Sequence, residues 1–204
     1  IDRISTNHTF FMRENKHFGF FKDQVLPHLK ATVKNRDLRI WSAGCSSGEE
    51  PYTLAMIIAD SFMEEKTVWD KRILATDISN RALEKAKAGR YDTNEIKLLP
   101  GNWIFSYFNR NDTDKYIIND RLKREVIFRR FNLMDKEFPF KKKFQVIFCR
   151  NVMIYFDDAT KKELVNRFYD FTEPGGYLFI GHSEALNRSE TNYKYIMPAV
   201  YRKG

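Results

Sequence analysis

Residues 44–52, GCSSGEEPY, stand between an apolar run, Leu38-Arg39-Ile40-Trp41-Ser42-Ala43, and a stretch whose Leu54, Ile58 and Phe62 recur at helical spacing. A strand that turns through glycines into a helix forms the floor of a ligand site in doubly wound sheets. Gly44 and Gly48 are spaced G-x-x-x-G, which is neither the G-x-G-x-x-G dinucleotide fingerprint nor a phosphate loop ending in Lys-Ser/Thr. Glu49 and Glu50 at the helix start would repel phosphate, yet they would accept hydrogen bonds from, or pair with, an ammonium or sulfonium group. Asp77 closes a second apolar run, Arg72-Ile73-Leu74-Ala75-Thr76, where such folds hold the two ribose hydroxyls on a carboxylate. A ribose without a diphosphate points to S-adenosylmethionine. Either signal alone reads equally as a tight turn and a helix cap; together they favour a nucleoside site.

The elements that must position these groups follow from the same runs. Pro51 and two glutamates suit the first turn of the helix after Gly48. Ser79 is placed to cap a second helix carrying Leu83 and Ala86, and Gly89 to end it. This βαβα alternation predicts a parallel sheet. Residues 91–125 break the rhythm with aromatic and turn residues, and DKYIINDRLKREVIF reads as short antiparallel strands, an inserted β-subdomain within one catalytic domain spanning 1–204. Alternation resumes with Val126–Phe131 and with Phe144–Phe148, an apolar run of the kind buried on both faces. Asp157 or Asp158 is expected to cap a helix with Leu164, Phe168 and Phe171 on one face, and Pro174-Gly175-Gly176 to turn into a strand over Tyr177–Ile180. The tail, YKYIMPAVYRK, reads as one closing antiparallel strand with Pro198 at an edge or bulge.

Composition narrows the classes. With 204 residues, 43% hydrophobic content and 18 phenylalanines, the chain can bury a full core. No apolar run approaches the roughly 20 residues that cross a bilayer, and the start has no signal-peptide pattern, so a cytoplasmic location is the expectation. Cys45 and Cys149 sit in apolar, strand-like contexts that predict buried free thiols rather than a disulfide or metal ligands, and no metal is expected. A net charge of +8 would suit nucleic acid, an acidic protein or an anionic cofactor, and its densest runs, Lys141–Lys143 and Arg129-Arg130, read as a solvated rim.

TNHTFFMRE, IWSAGCSSGEEPYTLAM, ATDIS, FNL, IFCRNVMIYF and EPGGYLFIGHSEAL, in this order and spacing, closely resemble the catalytic domain of the chemotaxis receptor glutamate methyltransferases, the CheR family. The resemblance covers nearly the whole chain. It implies a class I S-adenosylmethionine-dependent methyltransferase, Rossmann-like, with a mostly parallel sheet, making glutamate γ-methyl esters on the cytoplasmic helices of chemoreceptors, and acting as a monomer. Carried over by motif, the cofactor contacts are Asn7, Thr9, Arg13, Gly44, Glu49 rather than Glu50, Asp77, Asn132, Leu133, Arg150 and Asn151. Arg13 is suited to the methionyl carboxylate and Asn132-Leu133 to the adenine. Arg150 and Tyr155 are the catalytic candidates, Tyr155 beside the transferred methyl, although without the resemblance Tyr155 reads as a core aromatic residue. His182 in GHSE is read as a polar strand-end residue, because a glutamate nucleophile needs no base.

Two departures from the family qualify these expectations. Its members carry a small helical receptor-recognition domain before the TN segment, and its absence is expected here. The insertion's loop, NRNDTDKYIINDR, has no glycine, whereas members that dock a receptor tether there tend to have one; a tether-independent enzyme is expected. A nucleic-acid methyltransferase would need an Asn/Asp-Pro-Pro-aromatic motif where CRNVMIY stands, so no nucleic-acid partner is expected. A non-catalytic S-adenosylmethionine sensor or scaffold is the stronger alternative, and a nicotinamide dehydrogenase the weakest.

Overall fold

Every residue of the strands Ile40–Ala43 and Phe144–Cys149 is buried, so both lie at the centre of a sheet covered on two faces. The computed structural model describes residues 9–110, 115–187 and 189–204. It opens with α1 (Asn15–Phe20), which passes through a π-helical turn at Phe21–Val25 into α2 (Leu26–Thr32). Then come β1 (Ile40–Ala43), α3 (Glu49–Ser61), β2 (Ile73–Asp77) and α4 (Asn80–Ala88). The middle holds β3 (Arg90–Tyr91), α5 (Thr93–Ile96), α6 (Gly101–Tyr107), β4 (Phe108–Arg110), β5 (Tyr116–Ile118) and α7 (Asp120–Lys123). The chain returns through β6 (Val126–Arg130), β7 (Phe144–Cys149), a 3₁₀ turn at Met153–Tyr155, α8 (Asp158–Phe171), β8 (Thr172–Ile180), β9 (Lys194–Met197) and β10 (Val200–Arg202).

The main sheet has seven strands in the order β6-β2-β1-β7-β8-β10-β9. Pairings from β6 to β8 are parallel, and β10 runs antiparallel to both β8 and β9. Because side chains alternate across a strand, Ile40 of β1 joins one core and Trp41 and Ala43 the other. The first core lies under α1, α2, α3 and α4 with Phe18, Phe21, Leu54, Leu83, Phe148 and Phe179; the second lies under α8 with Leu164, Val165 and Phe168. Helices on both faces of a mostly parallel sheet make the fold doubly wound. Trp41 is buried among Phe138, Phe140, Phe144 and Phe168 and donates its indole N–H to Thr76 Oγ1 at 2.9 Å, tying β1 to β2.

The expected caps form: Ser79 Oγ accepts from the Ala82 N–H, Gly89 ends α4 in the left-handed region, and Asp157, not Asp158, caps α8. Three expectations change, and one stretch is new. The helical stretch 15–32 had no assignment from sequence. Its π-turn places the wider ring around Asp23, four residues before Pro27, where the proline ring would otherwise strike a carbonyl. The turn at 174–176 is a bulge inside β8, since Phe144 pairs with Thr172 and Val146 already with Tyr177. Among the described residues of DKYIINDRLKREVIF only β5 is an antiparallel strand of the small sheet β3-β5-β4; Asp120–Lys123 is helical, capped by the Asn119 side chain, and Val126 begins a parallel strand of the main sheet. The tail is a hairpin of two strands, with Pro198 and Ala199 in the turn and β9 at the sheet edge.

Candidate active site

Parallel strands deliver their carboxyl ends to one edge, and the sequence-selected residues gather there. Gly44 follows β1, Asp77 ends β2, Asn132 and Leu133 follow β6, and Arg150 and Asn151 follow β7. The turn after β1 hangs on β2, since the Gly44 and Cys45 N–H groups both donate to Thr76 O, at 2.8 and 2.9 Å. Gly48 precedes α3 at φ +98°, a conformation side chains avoid, and a Cβ there would lie 2.9 Å from Ala86 Cβ and 3.0 Å from the Tyr91 hydroxyl. That hydroxyl donates to Ser47 O at 2.7 Å, so β3 of the small sheet braces the turn.

Asp77 is held open-handed. Its Oδ2 accepts from the Ser46 N–H at 2.8 Å and its Oδ1 from the Ser79 N–H at 2.9 Å, which fixes the carboxylate and leaves each oxygen a second lone pair for a hydroxyl. Glu49 is 2% exposed, and its hydrogen-bond partner among the described residues is the Ser47 hydroxyl, at 2.8 and 2.9 Å. Burial raises its pKa, the Ser47 hydroxyl opposing, which is the signature of a carboxylate that a cationic ligand would relieve. Leu133 is buried; Asn132 is half-buried and its side-chain oxygen accepts from the Met134 N–H at 3.1 Å. A fixed carboxylate, a buried carboxylate lacking a cation partner among the described residues, and an apolar wall fit S-adenosylmethionine's ribose, ammonium and adenine.

Glu50 and Arg150 take another part. The Arg150 side chain, 3% exposed, reaches Glu50 Oε2 at 3.1 Å and Glu14 Oε2 at 3.2 Å, donates to Arg13 O, and covers the Phe18 ring at 5.0 Å. It is a strut joining α3, β7 and the start of α1. Glu50 also accepts from Ser42 Oγ at 2.7 Å; burial raises its pKa, against Arg150, and the Arg150 pairing makes it unavailable to an ammonium. Burial would raise the Glu14 pKa as well, but Arg150, the Asn151 amide and the His182 N–H outweigh it and hold that carboxyl below its ordinary value. Arg13 lies half-buried beside Glu14, its guanidinium 5.9 Å from the Phe10 ring centroid.

Thr9 is half-buried at the first described position; Asn7 lies outside the described residues, as do residues 111–114 of the insertion loop. Tyr155, on the 3₁₀ turn after β7, is 47% exposed rather than in the core. His182 is exposed, and its ring meets that of buried His17 edge-on, centroids 4.5 Å apart. Glu14, His17 and His182 place ligand-type atoms within 4.8 Å of one another, but Glu14 is already engaged by Arg150, Asn151 and the His182 backbone. Sequence reasoning missed Glu14, His17 and Glu184. Glu184 accepts three backbone N–H groups, and its one local signal was a charged residue between apolar Ala185 and a strand end. Cys45 and Cys149 are buried free thiols whose pKa values burial pushes well up.

The sheet order and this nucleoside-shaped edge define a class I S-adenosylmethionine-dependent methyltransferase domain. The profile of CheR methyltransferase, SAM binding domain, matches residues 7–201, and the chain belongs to that family. The Chemotaxis protein methyltransferase of Borreliella burgdorferi is 48% identical over 206 residues, covering 100% of this chain and 72% of the relative. Chemotaxis protein methyltransferase 1 of Pseudomonas aeruginosa is 39% identical over 96% of this chain and 72% of its own. The Escherichia coli Chemotaxis protein methyltransferase is 36% identical over 98% and 68%. A solved glycopeptide N-methyltransferase complexed with S-adenosylmethionine aligns more distantly, at TM-score 0.43 and 12% identity over 78% of this chain and 48% of its own. The protein is thus a methyltransferase of the chemotaxis family that uses S-adenosylmethionine. No helix of the described residues is long and apolar enough to cross a membrane.

Proposed function

We propose that the protein esterifies glutamate side chains on the cytoplasmic helices of chemoreceptors, as a monomer in the cytoplasm. The observation that carries this reading is the family match over nearly the whole chain, joined to a site edge that offers positioning groups. A glutamate carboxyl has a pKa near 4.3 and is already a nucleophile at neutral pH, so a general base is superfluous. S-adenosylmethionine, when bound, supplies an electrophilic methyl group. Asp77 and Glu49 hold the ribose and ammonium ends, with Asn132 and Leu133 at the adenine. Thr9 and Arg13 close the methionyl end from the N-terminal segment, and the family resemblance adds Asn7, which lies outside the described residues. Arg150 keeps Arg13 and the start of α3 in register through Glu14 and Glu50. Tyr155 stands at the exposed mouth, where its hydroxyl aligns the incoming carboxylate. Attack by a carboxylate on a sulfonium removes charge from both partners, so these residues work by orientation and water exclusion. Residues 91–125 are read as an inserted β-subdomain that braces the glycine turn without requiring a receptor tether.

The test is transfer of labelled methyl from S-adenosylmethionine to receptor cytoplasmic fragments by the full-length protein. Label released as methanol under mild alkali, and absent when the accepting glutamates are changed to alanine, is the expected result. Alkali-stable label would place the methyl on nitrogen and overturn the ester; labelling of nucleic acid in preference to receptor would overturn the substrate class.

A further inference from the structure

The residues that bind are laid on strand ends, but Tyr155 sits on a short turn two residues beyond a left-handed backbone, and something must hold that turn in place. Asn151 has φ +60° and Met153–Tyr155 form a single 3₁₀ turn. Neither conformation is self-sustaining: the first is disfavoured for a side-chain-bearing residue, and one turn leaves its leading N–H groups without intrahelical partners.

Glu184 supplies what is missing. It comes from a different strand end, after β8, and is 8% exposed. Its Oε2 accepts from the Asn151 N–H at 3.0 Å and the Gly181 N–H at 2.6 Å, while its Oε1 accepts from the Ile154 N–H at 3.1 Å. One carboxylate therefore grips the left-handed residue, the residue adjoining Tyr155, and the end of β8. Room for it depends on Gly181, where a Cβ would lie 2.9 Å from both Glu184 Oε2 and the Asn151 nitrogen. Glu184 touches neither the cofactor-binding carboxylates nor the strut formed by Glu14, Arg150 and Glu50.

We propose that Glu184 is a positioning residue for methyl transfer, acting through Tyr155 by clamping the turn at residues 151–154. The inference rests on the reading of Tyr155 as the residue that aligns the incoming carboxylate. An amide in place of the carboxylate keeps one acceptor oxygen and turns an NH₂ towards backbone donors, so Glu184→Gln releases part of the clamp at constant size.

The experiment compares wild type, Glu184→Gln, Tyr155→Phe and the double variant, using full-length protein, receptor fragments and S-adenosylhomocysteine titrations. A misplacement of about 1 Å can cost about 10²-fold in rate, so Glu184→Gln is expected to lower kcat by about that factor. Its affinity for S-adenosylhomocysteine should fall by far less than kcat does, because Asp77 and Glu49 lie elsewhere and only the Asn151 contact is shared with the clamp. In the Tyr155→Phe background the same substitution should add little, since the two act as a unit. An unchanged kcat, or an equal loss in both backgrounds, overturns the proposal. Should Glu184→Gln not fold, Glu184→Asp, one methylene short with its charge intact, replaces it under the same criteria. Amide hydrogen exchange at Asn151, Ile154 and Gly181 reads the clamp without activity. If wild type transfers no methyl to receptor, the functional reading fails by itself; protection of these three amides that is not lost in Glu184→Gln then overturns the clamp, and its selective loss upholds it.

Discussion

At neutral pH a carboxylate buried as deeply as Glu49 pays a desolvation penalty that its Ser47 hydroxyl only partly offsets. A ligand ammonium would remove that penalty by favouring the ionised form. Because burial raises the Glu49 pKa, affinity for S-adenosylhomocysteine is fully present above that raised value and lost as pH falls through it, earlier than an ordinary glutamate would dictate. Calorimetric titrations from about pH 7.5 to about pH 5 should show wild-type affinity declining. Glu49→Gln should bind more weakly at the upper end and show a flatter pH profile; a parallel decline in both would remove Glu49 from the ammonium site. Asp77 acts differently, as an acceptor of hydroxyls already braced by two backbone N–H groups. Losing charge-assisted hydrogen bonds worth about 1.5–3 kcal/mol, Asp77→Ala should weaken binding at least about tenfold at neutral pH. Wild-type affinity in a folded Asp77→Ala protein would refute the ribose assignment.

Between elements, α6, which leads into β4 of the small sheet, is tied to α3 through Asp60. Asp60 Oδ2 accepts from the Trp103 indole N–H at 2.6 Å, and its Oδ1 accepts from the Tyr107 hydroxyl, which burial and this carboxylate hold above its ordinary pKa. Asp60→Ala leaves a buried indole donor unpaired, and a stability loss of about 1–3 kcal/mol is expected in denaturant melts, with faster amide exchange across β4 and β5. Unchanged exchange there would mean apolar packing alone holds the insertion. The main-sheet elements were legible in sequence because each strand buried on both faces reads as an apolar run and the starts of α4 and α8 carry their own caps, Ser79 and Asp157. Gly44 and Asp77 stand out in sequence for the same reason, since strand ends are where such folds place ligands, whereas Asn132 came only from the family resemblance. The α1–α2 stretch was legible but went unread: its buried Phe18, Phe21, Val25 and Leu29 recur at helical spacing and pack against Phe148 and Phe179. The strut was not legible: Glu14 and Glu50 meet an arginine 136 and 100 residues away, a pairing without local trace. The closing hairpin was merged into one strand because Pro198 suits a bulge as well as a turn.

Stability of the whole molecule against acid turns on a residue that no cofactor contact explains. His17 is fully buried where α1 meets the end of β8, with Glu14 Oε2 3.5 Å from its Nδ1, Arg150 and the His182 ring nearby, and Phe179 on its other side. Burial, then the charges of Arg150 and His182, lower its pKa to about 4 from an ordinary 6.5, with Glu14 opposing. Between those values the unfolded chain binds a proton that the folded chain refuses, so folding stability falls as pH drops through that window. A shift of this size corresponds to about 3 kcal/mol across it. Glu49 and Glu50, whose pKa values burial raises, act in the opposite sense, so the wild-type melt alone would mix the contributions. The difference between wild type and His17→Gln isolates the histidine: glutamine has no proton to gain, so wild type should lose about 3 kcal/mol relative to the variant between about pH 7 and about pH 4 in denaturant melts. A difference that stays constant over that range would mean that His17 takes up its proton equally in the folded and unfolded chains, so that burial does not depress its pKa.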